Sequence, residues 1–294
     1  MPFSAKSKAT VNLPTKSEFE IYKRLEKEYV SLDRKQIRRT KNIRLIPLVE
    51  NRFGGKLSYA EWAHVIGIFQ TLIYLNTREK QGNTILDIGC GTGLLAIASE
   101  PFVSRGGRYL GLDVKREVIE FCRSHYPSPA FEFIHSAGSN AVYSPNQTGQ
   151  KAWPLEDSSV DLITALSVWS HLNEDDAQFY LQEVKRVLRP NSRAIITGFR
   201  LDQLYYDHVD ERSDEQGLFN FSRQNQWIFD QPTYGSVSWY HPKWADIPEK
   251  AIGFTDKGLE KLVETSGLKL VDYHPGCWKE IPGIFFQDIL VFER

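Results

Sequence analysis

The sequence predicts an α/β fold: a mostly parallel, seven-stranded sheet with helices on both faces, preceded by a helical N-terminal cap and interrupted before its last helix by an aromatic-rich insertion. Three observations carry this expectation. From Thr84 onward, short apolar runs alternate with stretches of helical period, the pattern of strands joined by crossover helices. The first apolar run opens directly into a glycine-dense turn, Gly89-Cys90-Gly91-Thr92-Gly93. Between Leu201 and Ala251 the alternation lapses into an aperiodic aromatic stretch, and then it resumes.

In chain order, residues 1–15 are polar, rich in Ser, Lys and Thr, and expected to lack fixed structure. From Lys16 to about Leu32, Phe19, Ile21, Tyr22, Leu25, Tyr29 and Val30 recur at helical spacing among charges, predicting an amphipathic helix. Ser58 and Glu61 make a capping box ahead of an apolar run to Leu75, predicting a second helix. Residues 16–80 thus read as a helical cap before a core at 81–200. In that core, strands are predicted at Thr84–Ile88, Arg108–Leu112, Ala130–Ile134, Val160–Leu166 and Ala194–Phe199. Helices are predicted after Gly93, from Lys115 to His125 and from Glu174 to Leu188, and Pro190 and Asn191 break the chain before the fifth strand. Residues 201–251 read as an insertion or lid. Residues 252–294 complete the sheet with a helix, Thr255–Thr265, stopped by Gly267, and strands at Leu268–Tyr273 and Phe286–Phe292.

A chain of 294 residues can bury the core of one large domain with additions. Its 36 Lys+Arg against 37 Asp+Glu create no global field of the kind that gathers nucleic acid or anionic lipid. That balance argues against nucleic acid as a partner. Cys90, Cys122 and Cys277 are few, far apart and without metal-ligand spacing, which fits a reducing, cytoplasmic setting. Apolar stretches such as Val65–Phe69 fall far short of a membrane span, and no hydrophobic signal core follows the first lysines.

The segment Ile85-Leu86-Asp87-Ile88-Gly89-Cys90-Gly91-Thr92-Gly93 is the most informative. Glycines at such a turn admit positive φ and let a ligand approach the backbone in the crevice beyond the strand ends. The next strand ends in Gly111-Leu112-Asp113, placing a carboxylate where it can take the two hydroxyls of a ribose. The dinucleotide fingerprint of nicotinamide enzymes spaces its glycines G-x-G-x-x-G. Here the spacing is G-x-G-x-G, with an aspartate inside the preceding strand, and this arrangement resembles the class I, Rossmann-like S-adenosylmethionine methyltransferases. Two further anchors resemble that family in its own order. Trp153-Pro154-Leu155-Glu156-Asp157-Ser158-Ser159-Val160-Asp161-Leu162-Ile163 is similar to its lead into the fourth strand, and Glu183 to Ser192 is similar to its turn into the fifth. The resemblance covers residues 84–200 and implies S-adenosyl-L-methionine as cofactor, with Asp87 near its methionine moiety. The cofactor site so implied is Asp87, Gly89, Cys90, Gly91, Thr92, Gly93, Asp113, Val114, Leu166 and Ser167. The family's acidic residue after the third strand is missing, and Ser136 and Ala137 take its place at the adenine wall.

A sulfonium is already a strong electrophile, so the protein mainly has to align acceptor and methyl carbon and exclude water. For a hydroxyl acceptor a general base assists. His171, in the loop after the fourth strand, is the candidate, the alternative being that it packs beside Trp169 or starts the next helix. No Asn/Asp-Pro-Pro-Tyr sequence marks a base- or amide-methylating enzyme, and Ser167 stands where a metal-dependent enzyme would need a carboxylate. The expected enzyme is metal-independent. Trp169, Tyr205, Tyr206, His208 and His241, together with Tyr59 and Trp62 from the leading helix, are candidates for the acceptor pocket, the alternative for the insertion being the private core of a lid. The expected activity is O-methylation of a small molecule, a saccharide or secondary metabolite. Arg34, Lys35, Arg38, Arg39, Lys41 and Arg44 motivate an RNA methyltransferase as a rival reading. A regulatory module that binds the cofactor without turnover is another. The oligomeric state stays open.

Overall fold

The computed structural model describes residues 15–53, 55–126 and 128–294. Expected disorder in the first fifteen residues therefore lies outside the described residues, save for Thr15. Its hydroxyl accepts the Glu18 amide while the Glu18 carboxylate accepts the Thr15 amide, capping helix α1 (Lys16–Gln36). The helical period of α1 is as predicted, but much of its apolar stripe stays in solvent, with Ile21, Leu25, Tyr29 and Leu32 exposed. The helix docks through the buried Val30 and a buried ion pair, Glu26 to Arg52 at 2.6 Å. Arg52 also donates to the carbonyls of Pro47 and Leu57, so it knits residues 47–57 together. Helix α2 (Tyr59–Asn76) starts where Ser58 accepts the Glu61 amide at 3.0 Å. Only this half of the predicted box is made, because the Glu61 side chain lines the large cavity described below. Trp62, Ile66, Phe69 and Ile73 of α2 pack into one core layer.

The sheet begins with β1 (Thr84–Ile88), buried at every position, as expected for a strand covered on both faces. There follow α3 (Leu94–Ser99), β2 (Arg108–Asp113), α4 (Arg116–His125), β3 (Phe131–His135), β4 (Val160–Ala165), α5 (Glu174–Val187) and β5 (Leu188–Leu201). Asn173 caps α5, whose first turn carries Glu174, Asp175 and Asp176 and whose last carries Lys185 and Arg186, complementing the helix dipole. Arg186 also donates to the carbonyls of Trp153 and Leu155 and pairs with Asp157, which fixes the lead into β4. After the fifth strand come α6 (Gln203–Val209), β6 (Phe229–Pro232), β7 (Trp239–Pro242), β8 (Gly253–Thr255), α7 (Asp256–Ser266), β9 (Lys269–His274) and β10 (Asp288–Glu293). Thr255 caps α7, and Gly267, at φ 67°, ends it.

Strands β3-β2-β1-β4-β5 run parallel, β10 adds antiparallel to β5, and β9 adds antiparallel to β10. These are the seven predicted strands. The insertion contributes β6 and β7, and the unpredicted β8 follows directly after it, so the sheet has ten strands among the described residues. They attach because β5 outruns its neighbours: residues 193–198 pair with β10, whereas Phe199–Leu201 pair with β8, which carries β7 and β6.

A buried ionic cluster joins the insertion to the final hairpin. Lys279 Nζ lies 2.8 Å from Asp202 and 3.1 Å from Asp288, with no exposed side-chain surface. Asp288 also accepts from the Gly276 amide and the Trp278 indole. Burial pushes the Asp202 carboxyl up, but the Lys279 ammonium and the Tyr273 hydroxyl outweigh this and hold it below the usual range. Replacing Lys279 by alanine leaves two buried carboxylates without their cation and is expected to cost about 3–5 kcal/mol of stability. Lys243→Ala, which breaks an exposed pair with Asp230, is expected to cost about 0–1 kcal/mol. Urea denaturation of the two variants compares them directly.

Candidate active site

Strands β1 and β4 are neighbours, but the chain leaves β1 towards β2 and β4 towards β5, on opposite sides. Loops that diverge in this way leave a crevice at the carboxyl ends of the strands. There the structure holds a cavity of about 1380 Å³.

One wall is the glycine turn. Gly89 has φ 66°, and a Cβ added to it would stand 2.6 Å from Val168 Cγ2, so this position tolerates no side chain. Gly91, at φ 50°, would present its Cβ to open space with nothing within 4 Å. Together they form a bare backbone cradle facing the cavity. Asp113 stands beside it at the end of β2. Its Oδ2 accepts the Gly91 amide and its Oδ1 the Lys115 amide, both at 2.9 Å. Each carboxylate oxygen keeps a lone pair, so the residue can accept two further hydroxyls. Asp87, within β1, accepts from the hydroxyls of Tyr109 at 2.6 Å and Thr164 at 2.9 Å. Burial pushes its carboxyl up to about 7 despite these donors.

The opposite wall comes from the end of β4. Ser167 takes a positive φ of 59°, and its amide donates to Thr197 Oγ1 at 2.7 Å. Gln287, just before β10, locks this loop: its Oε1 accepts from Ser167 Oγ and Thr197 Oγ1, while its Nε2 donates to Ser170 Oγ. His171 follows. Its Nδ1 lies 2.8 Å from the Glu249 carbonyl, which only accepts, so Nδ1 carries the proton and Nε2 is an acceptor. Nε2 meets the hydroxyl of Tyr143 at 3.3 Å. Burial pushes the imidazole pKa down, the Glu249 bond opposes this, and the Lys56 ammonium adds to the lowering. The side chain is therefore a neutral imidazole whose Nε2 lone pair, at the cavity wall, accepts the Tyr143 hydroxyl.

Of the residues singled out from sequence, Asp87, Gly89, Cys90, Gly91, Thr92, Asp113, Val114, Ser136, Leu166 and Ser167 line this one cavity, together with His171 and Trp62. Gly93 and Ala137 do not. Gly93 turns its Cα towards the ring of Tyr126, and Ala137 sits beside the lining residue Ser136. Most of the acceptor-pocket candidates fall elsewhere. Tyr59 donates to the Ile43 carbonyl, Trp169 is buried in the core under β4, and Tyr205 is buried against Trp278 and Phe229. Tyr206 is exposed, His208 lies on α6, and His241 bonds Thr233. The cavity wall is completed instead by Phe53 and Lys56, by Tyr143, by Phe199 and Trp227, and by Phe285, Phe286 and Gln287. Sequence reasoning missed Lys56, Tyr143, Phe285 and Gln287. Lys56 and Tyr143 sit in loops without a periodic signal, and Phe285 and Gln287 flank the predicted start of the last strand, which begins only at Asp288.

Residues 86–196 match a family described as a methyltransferase domain. The chain is 29% identical over 127 residues to the 2-phytyl-1,4-naphtoquinone methyltransferase of Trichormus variabilis, covering 42% of this chain and 49% of that protein. It is 33% identical over 124 residues to the O-methyltransferase resE of Aspergillus sclerotiorum, covering 42% of each. The chain spans about half or less of the length of these curated relatives. Among solved structures, an S-adenosylmethionine dependent methyltransferase from Mesorhizobium loti aligns with a TM-score of 0.50 at 14% identity, over 76% of this chain and 96% of that one. At that identity the likeness is one of fold.

The His171 geometry makes a direct prediction. Nitrogen-resolved NMR should show one histidine held as the Nδ1–H tautomer and titrating below about 6.5, the ordinary value, and His171→Gln should remove that signal. Because protonation is disfavoured in the fold, the ring's contribution to stability is complete above about 6.5. It should fall as the pH drops through that value.

Proposed function

We propose that this chain, whose residues 86–196 match a methyltransferase domain, is a class I, Rossmann-like, S-adenosylmethionine-dependent enzyme that O-methylates a small, largely apolar acceptor, with His171 as the proton acceptor. One observation carries the reading: a single cavity joins the bare glycine cradle and Asp113 to a neutral imidazole whose Nε2 accepts the Tyr143 hydroxyl, which an acceptor hydroxyl would displace. S-adenosylmethionine supplies a methyl group on a sulfonium, ready for attack. Asp113 takes the ribose hydroxyls, and the turn from Gly89 to Gly93 lies against the amino-acid part with Asp87 beneath it. Ser136 and Tyr143 border the adenine side, and Leu166 and Ser167 face the reacting end. Residues 16–80 act as a cap that closes the acceptor side through Phe53, Lys56 and Trp62.

The chain's own work is then positional and acid–base. Aromatic walls at Phe199, Trp227, Phe285 and Phe286 exclude water and hold the acceptor. His171 Nε2 takes the hydroxyl proton as the oxygen bonds to the methyl carbon, the carbon–sulfur bond breaks, and the sulfur keeps the bonding pair. Apolar walls support an aromatic or quinoid acceptor over a saccharide, and the names of the naphthoquinone and O-methyltransferase relatives agree. Two of the six residues behind the RNA reading, Arg34 and Arg44, are engaged with the carbonyls of Ile46 and Ile37. That engagement supports a small-molecule acceptor.

Calorimetric titration tests the cofactor half. S-adenosylmethionine should bind saturably, and Asp113→Ala should weaken it about tenfold or more, the worth of a lost hydrogen bond to a charged group. NAD should not bind, and NAD binding in its place overturns the reading. Asp87, whose carboxyl burial pushes up to about 7, should give up bound proton when a cation settles beside it. The binding enthalpy near pH 7 should therefore depend on the buffer's heat of ionisation, and this dependence should vanish in Asp87→Asn. For the transfer itself, His171→Ala should slow turnover about 10²- to 10⁴-fold with cofactor affinity unchanged.

A further inference from the structure

His171 owes its backbone position and its ring orientation to different partners. The backbone is held by the Asn140 side chain, which donates to the His171 carbonyl at 2.8 Å, and by Ile252, whose amide donates to the neighbouring Ser170 carbonyl at 2.8 Å. The ring is held by the Glu249 carbonyl, 2.8 Å from Nδ1. A neutral imidazole carries its proton on either nitrogen, and the bond made at one decides what the other presents. Here the Glu249 carbonyl keeps Nε2 unprotonated, which is the condition for a base at that atom.

That carbonyl stands on a single turn of 3₁₀-helix, Pro248–Lys250, and the anchor of the turn is the side chain of the same residue. The Glu249 carboxylate is buried, the residue being 3% exposed, and both of its oxygens accept from the Tyr234 hydroxyl, at 3.0 Å each. Tyr234 reaches it from a left-handed backbone, φ 49° and ψ 32°, a conformation uncommon for an aromatic residue and kept only where the surroundings over-determine it. They do so here. Ser236 donates to the Glu174 carboxylate of α5 at 2.6 Å and accepts the Ser238 and Trp239 amides, while Thr233 Oγ1 meets His241 Nδ1 at 3.1 Å. Tyr234 is itself 69% exposed, so burial of its ring does not account for its placement. Among the described residues, neither it nor Glu249 lines the cavity.

Resting on the reading of His171 as the base, we infer that Tyr234 and Glu249 are positioning residues of this site, and that through them the insertion sets the tautomer of the base. The hydroxyl holds the carboxylate, the carboxylate holds the turn, and the carbonyl of the turn holds the proton on Nδ1. Loss of the hydroxyl leaves a buried carboxylate without its donor, a costly state. The side chain then moves towards water and draws the turn and its carbonyl away from the ring. With that acceptor gone the proton can settle on Nε2, where the ring faces the acceptor hydroxyl as a second donor and cannot take its proton.

Nitrogen-resolved NMR on the full chain reads the tautomer without any acceptor, and titration of the same samples with S-adenosylmethionine reports that each variant is folded. The wild type should be Nδ1–H. In Tyr234→Phe and in Glu249→Ala the ratio of Nδ1–H to Nε2–H should fall about five- to tenfold, the worth of one net hydrogen bond, with cofactor affinity unchanged. Glu249→Gln, whose amide oxygen still accepts the tyrosine hydroxyl, should keep the wild-type ratio. A wild-type ratio in Tyr234→Phe and Glu249→Ala overturns this inference alone, as does an equal fall in Glu249→Gln. Loss of cofactor binding in Tyr234→Phe and Glu249→Ala makes the two residues structural props and also overturns it. An Nε2–H ring at His171 in the wild type overturns the reading of that residue as the base, and this inference with it.

Discussion

The divergence of the chain at the centre of the sheet is the constraint on which the rest depends. A parallel strand can be followed by its neighbour only through a right-handed crossover. With β1 and β4 adjacent but leading to opposite edges, the loops after them part and expose strand ends that nothing else in the core covers. The backbone must fill that edge without filling the crevice. The bare cradle at Gly89 and Gly91 and the positive φ of Ser167 are the two local solutions, one on each side. Asp87 and Asp113 are then carried by neighbouring strands to the same rim, which explains why residues 26 positions apart act at one place.

The cavity wall away from the cradle is built differently, from segments remote in sequence and held by buried charge. Phe53 and Lys56 depend on Arg52, whose guanidinium is committed to Glu26 and to backbone carbonyls. Phe285, Phe286 and Gln287 depend on the hairpin that Lys279 clamps to Asp202 and Asp288. Buried pairs of this kind add little net stability compared with apolar packing, because desolvation offsets their attraction. Their value is directional: an apolar interface would slide, whereas a lysine shared by two carboxylates fixes one docking. In an enzyme whose task is alignment, that fixity at the walls is worth more than depth of burial.

This contrast explains what the sequence could and could not disclose. Strand positions and the cofactor rim are local: Asp87 through Gly93 are seven consecutive residues, and the period of the core elements follows from their burial on both faces. The walls are not local. Of the aromatics in the insertion, Trp227 lines the cavity, yet Tyr205 spends its ring on Trp278 and its hydroxyl on the Phe229 amide, and no spacing rule in an aperiodic stretch separates the two. The added strands β6 and β7 are four residues each and end in proline, below the length at which alternation is readable. Helix α1 shows the converse failure, since its period was legible and its burial was not. It is anchored by Val30 and by Glu26 one turn before it, a charged residue that hydropathy alone would assign to solvent.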